Sequence, residues 1–446
     1  MRRFYFLLIL GVIFFNSFVT AQKAEKGFPY TIRLVQTEII DFPALQSFSY
    51  AVDDGKWLLL GGRKDGLHRR QPWATFDEDG RNNIIYVIDP IEKKVWKSSS
   101  KTLPVSLADQ LQSTNMEFCQ TGNKLLLAGG YGYSKQKDDH ITFPYLTVIN
   151  VKEIMHSIIN DLPFNQHIIQ IKDERMAVTG GRMVNSGEQW LLIGGQRFDG
   201  LYNPHGPDHG PGFKQEYTNE IRTFKLNFDN SKPEIKYYSA IKDTVNLHRR
   251  DYNLVPQIFT NGLPGFTVFS GVFQYNKDLP YTTSVDISGN NHHVIAGFHQ
   301  KLNHYHSAVL PLFDTKDTTM YTLFLGGIAQ YYPDVNGKIV NNTDVPFTKT
   351  ISLVSRNKNG IKETWLPVQM PGYLGASAEF IFAENISMYS EGVALPPQEN
   401  AEILIGYIVG GIHSGEKNIF WSNTGEESKA SNNLIKVYLK RNSVSK

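Results

Sequence analysis

The densest set of reactive side chains in this 446-residue chain is His248-Arg249-Arg250-Asp251-Tyr252, and a smaller set follows at His304-Tyr305-His306. Arginines so placed can fork onto a carboxylate or a sugar acid. The plainer alternative is a salt-bridged lattice, Arg250 with Asp251, that ties neighbouring elements together. Glu117 and Glu379 are the second candidates. Two carboxylates facing one space can act as acid and base, or can simply hydrate an internal channel. A third group is aromatic: Trp73, Phe76, Tyr131, Tyr133, Tyr202, Phe213, Tyr275, Tyr331, Tyr332, Phe420 and Trp421. Flat rings suit sugar faces and peptide side chains alike.

Other chemistry finds less support. His205-Gly206-Pro207-Asp208-His209, His292-His293 and Asp138-Asp139-His140 offer metal-ligand types, but on no element that would fix their spacing. A transition metal needs convergent geometry, so no metal site is assigned. There is no Gly-x-Ser-x-Gly elbow, phosphate-binding Gly-rich loop or His-Glu-x-x-His. No cofactor is implied. Cys119 is the only cysteine, so no intramolecular disulfide can form.

The elements that must position these residues repeat. Six apolar runs end in a small-residue pair: Trp57–Gly62, Leu125–Gly130, Trp190–Gly195, Phe266–Gly271, Leu323–Gly327 and Tyr407–Gly411. Ahead of each lies another strand-like segment. Four of the joining turns carry Gly with Asn or Asp, as at Asp53-Asp54-Gly55-Lys56 and Gln120-Thr121-Gly122-Asn123. Such residues supply the positive φ of tight hairpins. After each pair comes a polar and aromatic loop, a third strand, and usually a fourth. In the first unit the strands are predicted at Phe48–Val52, Trp57–Leu60, Ile84–Ile88 and Lys94–Lys97; in the fifth, the fourth strand is Glu363–Val368. One helix is predicted, Val151–Ile159.

This pattern resembles the kelch repeat, in which a hydrophobic strand closes on Gly-Gly and an outer strand carries an aromatic, here Trp96 and Trp365. Ser270-Gly271 departs from it, and the spacing exceeds the usual period of roughly 50 residues, which implies enlarged loops. The resemblance implies an all-β, six-bladed propeller. The last unit has three strands, Glu379–Phe382, Ile403–Val409 and Leu434–Leu439. An unassigned strand, Tyr30–Ile39, opens the chain after its leader. Pairing the two would close the ring and remove a sheet edge. Ile32, Leu34 and Ile39 would then cover apolar faces between blades six, five and one.

Strand order sets geometry. With strands a to d running outward, the a–b turns share one face and the b–c and d–a connections the other. The b–c loops 63–83, 131–143, 196–220, 329–348 and 412–433 are long, and long loops in a compact domain are commonly functional. The candidate binding face is therefore the loop-bearing one. The aromatics sit there, half or more of them expected to pack the loops down. His248–Tyr252 and His304–His306 fall at d–a corners of the same face. Glu117, Glu379, Asn253 and Ser307 are assigned to matching positions on innermost strands, lining a polar, water-filled channel. Lys64-Asp65-Gly66-Leu67-His68 and Phe198-Asp199-Gly200-Leu201-Tyr202 suggest a shared turn, Asp capping an amide and Gly taking positive φ.

Residues 1–21 read as a signal peptide: Arg2-Arg3, an apolar Phe4–Phe18, and Val19-Thr20-Ala21 before the cut. Residues 22–446 are expected to form one propeller domain, exported to the periplasm or the medium, with no membrane span after cleavage. A formal net charge of +2 argues against nucleic acid as partner. The reading is a non-catalytic propeller that binds a glycan or protein ligand through its b–c/d–a face. The alternative is a sugar isomerase. Two related propeller types frame that choice. Copper radical oxidases of the galactose oxidase type need a Tyr–Cys crosslink, for which Cys119 is the sole candidate and reads instead as a small buried residue. The secreted type that mutarotates N-acetylneuraminate uses an acidic and a basic side chain at the channel mouth, which Glu117 or Glu379 with Arg250 would imitate.

Overall fold

The computed structural model describes residues 27–69, 75–203, 212–228 and 232–443. Six mainly antiparallel sheets stand around an axis, the four main strands of each ordered a-b-c-d outward. The innermost strands are Ser49–Asp53, Thr114–Thr121, Arg182–Ser186, Asn253–Ile258, Val309–Asp314 and Tyr373–Phe382. This is a six-bladed β-propeller. Apolar clusters fill all six blade-to-blade interfaces. Among the described residues no helix is long and apolar enough to cross a membrane.

The repeated Gly-Gly has a direct structural use. Its second N–H leaves the blade and donates to the next one: Gly62 to Ser113 O, Gly130 to Val178 O, Gly195 to Arg249 O, Gly271 to His304 O and Gly411 to Leu45 O, at 2.7–3.1 Å. Both glycines of the pair at 129–130 have positive φ, and a Cβ on Gly129 would sit 1.8 Å from Val178 O. Only glycine allows that approach. Blade four keeps the conformation without the glycine, because Ser270 itself adopts φ 55°.

Two residues beyond those acceptors, the chain reaches the axis and forms a closed belt. Asn115 N donates to Ser47 O, Gly180 N to Asn115 O, Asp251 N to Gly180 O, His306 N to Asp251 O, Ser377 N to His306 O, and Ser47 N to Ser377 O, at 2.7–3.4 Å. Each blade gives one donor and one acceptor. All of these residues except His306 hold a left-handed φ.

Blade six is built from both chain ends. Tyr30–Thr37 pairs antiparallel with Leu434–Arg441 over eight residues, Tyr30 opposite Arg441 and Thr37 opposite Leu434. Ile32 packs between blades five and six with Leu34 alongside, and Ile39 packs between blades six and one. A polar clasp secures the junction: Tyr30 Oη and Arg441 Nη2 both donate to the buried Asp314 carboxylate at the end of blade five's inner strand.

Some expectations need correction. The b–c segments are largely hairpins rather than irregular loops. Lys124–Ser134 runs on past Gly130 to pair with Asp139–Thr142, Gln196–Asp199 pairs with Lys214–Tyr217, and Tyr331–Pro333 with Ile339–Asn341. The a–b connection of blade six is not tight: Val393–Ala394 adds in parallel to the inner edge of blade five, Ala394 opposite Leu312. The helix Val151–Ile159 forms as predicted and buries Val151, Ile154, Met155 and Ile158. A second helix, Val105–Leu111, joins blades one and two. It buries Leu107 and Leu111, one helical turn apart.

Candidate functional site

Above the belt the propeller opens into a bowl of about 400 Å³ on the face carrying the b–c hairpins. The residues just before the belt, Gln46, Thr114, Thr179, Arg250, Tyr305 and Ala376, line its floor together with the belt itself. Its walls include Leu67, His68, Phe76, Tyr202, Phe273, Phe420 and Trp421, with Asp278 and Asp344 on one side. The bowl thus presents rings, amides, hydroxyls and a guanidinium–carboxylate pair to one concave space, the mixed lining of a small-ligand site.

The sequence-nominated residues divide sharply. Arg250 and Asp251 lie at the bowl floor and pair with each other. Arg250 also reaches Tyr217 Oη at 3.3 Å and stacks over Phe273. Burial would lower its pKa, but Tyr217 and Asp251 outweigh that and raise it, so it stays a cation. Its neighbour Arg249 does not face the bowl. Its guanidinium donates at 2.7 Å to the carbonyls of Asn246, Ser270 and Thr283 and lies over Tyr281, 1% exposed. Burial lowers it to about 10. His248 stacks on Tyr217 at 3.8 Å and sits 2.9 Å from Asn219 Oδ1, outside the bowl lining. His304 is fully buried between Gln300 O and Gln330 N, its pKa pushed down to about 4 by burial. These three belong to the framework, each held by partners outside the bowl.

Beneath the belt the channel is narrower than the open, water-filled one expected. Phe48, Met116 and Phe118 crowd it, and the cavity is only about 20 Å³, room for about one water. The positions two residues past the belt are Ser49, Glu117, Arg182, Asn253, Ala308 and Glu379. Ser307 is therefore one place off the expected register, and its N–H instead bonds Asn253 Oδ1 at 3.0 Å. Glu379 meets Arg182 at 3.5 Å from the opposite blade and His306 Nε2 at 3.0 Å. The histidine contact is at ion-pair distance but is not aligned as a hydrogen bond. Burial would raise the Glu379 carboxyl; His306 and Arg182 overcome this and hold it below its ordinary value. Burial, with Arg182, lowers His306. Glu117 behaves otherwise. It turns into the interface of blades two and three, where Oε1 accepts from Gly181 N at 2.7 Å and Oε2 has no partner. Burial raises its pKa well above the ordinary value. Arg182 is the residue that the sequence reading missed. Its signal was its position, directly after Gly180-Gly181 in the register of the two glutamates.

The aromatics behave largely as packing. Phe76, Tyr131, Phe198, Tyr202 and Phe213 form one ring-on-ring cluster joining the hairpins of blades one to three, with centroids 4.7–6.3 Å apart. Tyr131 Oη donates to Gly200 O and accepts from Tyr202 N. Tyr202 still lines the bowl, as does Trp421, 69% exposed. Trp73 and the His205–His209 segment lie outside the described residues. The shared turn is broader than expected: Arg63 pairs with Asp65 and Arg197 with Asp199, each at 2.8 Å. Asp199 caps Thr142 N at 3.3 Å and Gly200 has positive φ. Gly66 does not; a Cβ there would strike Ser428. Cys119 packs in the interface of blades two and three, its thiol pushed up to about 11 by burial.

Compared with models of protein families and with curated protein sequences, the chain matches none.

Proposed function

We propose that this chain is an exported, kelch-type propeller that binds a glycan in the bowl without acting on it chemically. The observation that carries the reading is the bowl: a concave space of about 400 Å³ with half-buried rings, one exposed ring and a polar floor on the hairpin-bearing face. A flat protein–protein interface would present roughly 800 Å² per partner; a concave pocket of this size suits a mono- or disaccharide end. Export rests on the basic, apolar and small-residue segments of residues 1–21, and the kelch assignment on the six closing pairs.

The acid–base pair of a sugar isomerase fits less well. Arg250 lines the bowl, whereas Glu379 faces only the small cavity beneath the belt, and the Glu117 carboxyl is turned into a blade interface. Asp251, which lines both spaces, is held by Arg250.

A glycan array on the full chain, followed by calorimetry with each hit, tests the proposal. Trp421→Ala removes an exposed ring and should weaken binding about tenfold or more, roughly 1.4 kcal/mol. Unchanged affinity moves the site elsewhere. Anomeric exchange of a bound sugar accelerated by micromolar protein would overturn the non-catalytic half of the proposal. An empty array with a specific protein captured instead, lost in Trp421→Ala, would replace the glycan by a protein.

A further inference from the structure

A second pocket lies apart from the bowl and shares none of its lining residues. It is about 170 Å³ and sits where the b–c segment of blade one meets the connection that carries the helix Val105–Leu111. Arg81 lies in its wall with a side chain only 14% exposed. Its guanidinium carries no hydrogen bond to any described residue, and Nε is wholly buried without a partner. One face stacks on Tyr133, 4.6 Å from the ring centre. The nearest carboxylate is Glu78, 3.9 Å away and itself 85% exposed. Every other arginine argued from above has found acceptors. A buried guanidinium nitrogen without an acceptor is costly, and a guanidinium offers its donors as a planar fork that fits an oxyanion.

We propose that this pocket binds the carboxylate or sulfate of a monosaccharide-sized organic anion, with Arg81 as its fork. Lys101 and Lys135 line the same pocket and add positive charge. Leu103, Val105 and Ala108 supply an apolar patch for the C–H face of a sugar ring. Two carboxylates face the space. Glu78 is at its exposed edge. Asp109, 1% exposed, spends Oδ2 on Lys135 N at 2.8 Å. The volume is larger than an inorganic ion requires, and so the anion should carry a body.

Thermal melts and calorimetry of the full chain with glucuronate, glucose 6-sulfate, glucose and inorganic sulfate, at matched ionic strength, test this. Glucuronate or glucose 6-sulfate should raise the melting temperature and glucose should not; which of the two binds tighter identifies the anionic group. Arg81→Met keeps the stem and removes the charge. It should weaken binding at least tenfold while leaving the unliganded melting temperature close to the parent's, since the ion pair it gives up is the loose, exposed one with Glu78. Arg81→Lys should retain part of the affinity. Three outcomes would overturn the proposal: no difference between glucuronate and glucose, inorganic sulfate binding as tightly as the sugar anions, or an Arg81→Met protein that melts lower and still binds.

Discussion

Blades two and six present the same backbone to the axis and opposite electrostatics. Glu117 and Glu379 stand at one register position, two residues past Asn115 and Ser377 of the belt. Glu117 has a single backbone donor, one unpartnered oxygen and a raised pKa; Glu379 has Arg182 and His306 and a lowered one. The difference arises from what the other blades place within reach: Arg182 from the opposite blade and His306 of the belt for Glu379, Gly181 N for Glu117. A propeller repeats its geometry, so each inner-strand side chain is read by its counterparts around the ring. The blades also differ in how they are held. The four strands of blade two come from one stretch of chain, Thr114 to Lys172, whereas blade six depends on Tyr30–Thr37 from the far end.

The largest expected effect breaks that second difference. Deleting residues 27–40 exposes the edge of Leu434–Arg441, removes the buried Phe28, Tyr30 and Ile32, and takes Tyr30 from Asp314. Each such side chain contributes about 1.5–3 kcal/mol, and the unpaired edge adds to the loss. The sum is comparable with the roughly 5–15 kcal/mol of a whole domain. The truncated chain should lose its cooperative melt and aggregate. A melt like the parent's would mean that blade six stands without its outer strand.

Next comes the channel-spanning pair. Arg182→Met leaves Glu379 with His306 alone, in a space with room for about one water. Breaking one side of a buried pair costs about 3–5 kcal/mol. Denaturant titration at pH 7 should show that loss, and Arg182→Met/Glu379→Gln should recover part of it. If the single variant loses less than about 1 kcal/mol, the pair is solvated and the cross-channel account fails.

What was legible in the sequence follows from repetition. A closing pair marked each second strand because the chain there approaches the next blade closely; five blades meet that demand with Gly-Gly and blade four with Ser270-Gly271. The closing strand was legible because one repeat lacked a member. The site was less so. Arg249 and Arg250 are adjacent and alike, but one faces Ser270 and Thr283 and the other the bowl, and the choice is made by a corner whose direction no local pattern states. Arg182 went unnoticed because its partner lies 197 residues away, across the axis. The hairpins that raise the bowl wall were hidden in polar segments, where pairing depends on the strand's continuing past two glycines.

The smallest expected effect is also the sharpest test of the two glutamates, because the predicted pH responses have opposite signs. Glu379 has a folded pKa below its ordinary 4.5. Its stabilisation is therefore present above that ordinary value and lost as pH falls through the folded one. Glu379→Gln should lower stability at pH 7 and flatten the acid limb of a stability–pH curve. Glu117 has a folded pKa well above 4.5, so its contribution is complete below the ordinary value and is lost as pH rises through the folded one. Glu117→Gln retains an oxygen for Gly181 N and cannot ionise. It should match the parent near pH 4 and exceed it at pH 8. Urea titrations of both variants at pH 4, 6 and 8 read the two slopes directly. Parallel slopes would show that the ring position, and not the partners across it, sets how a carboxylate titrates there.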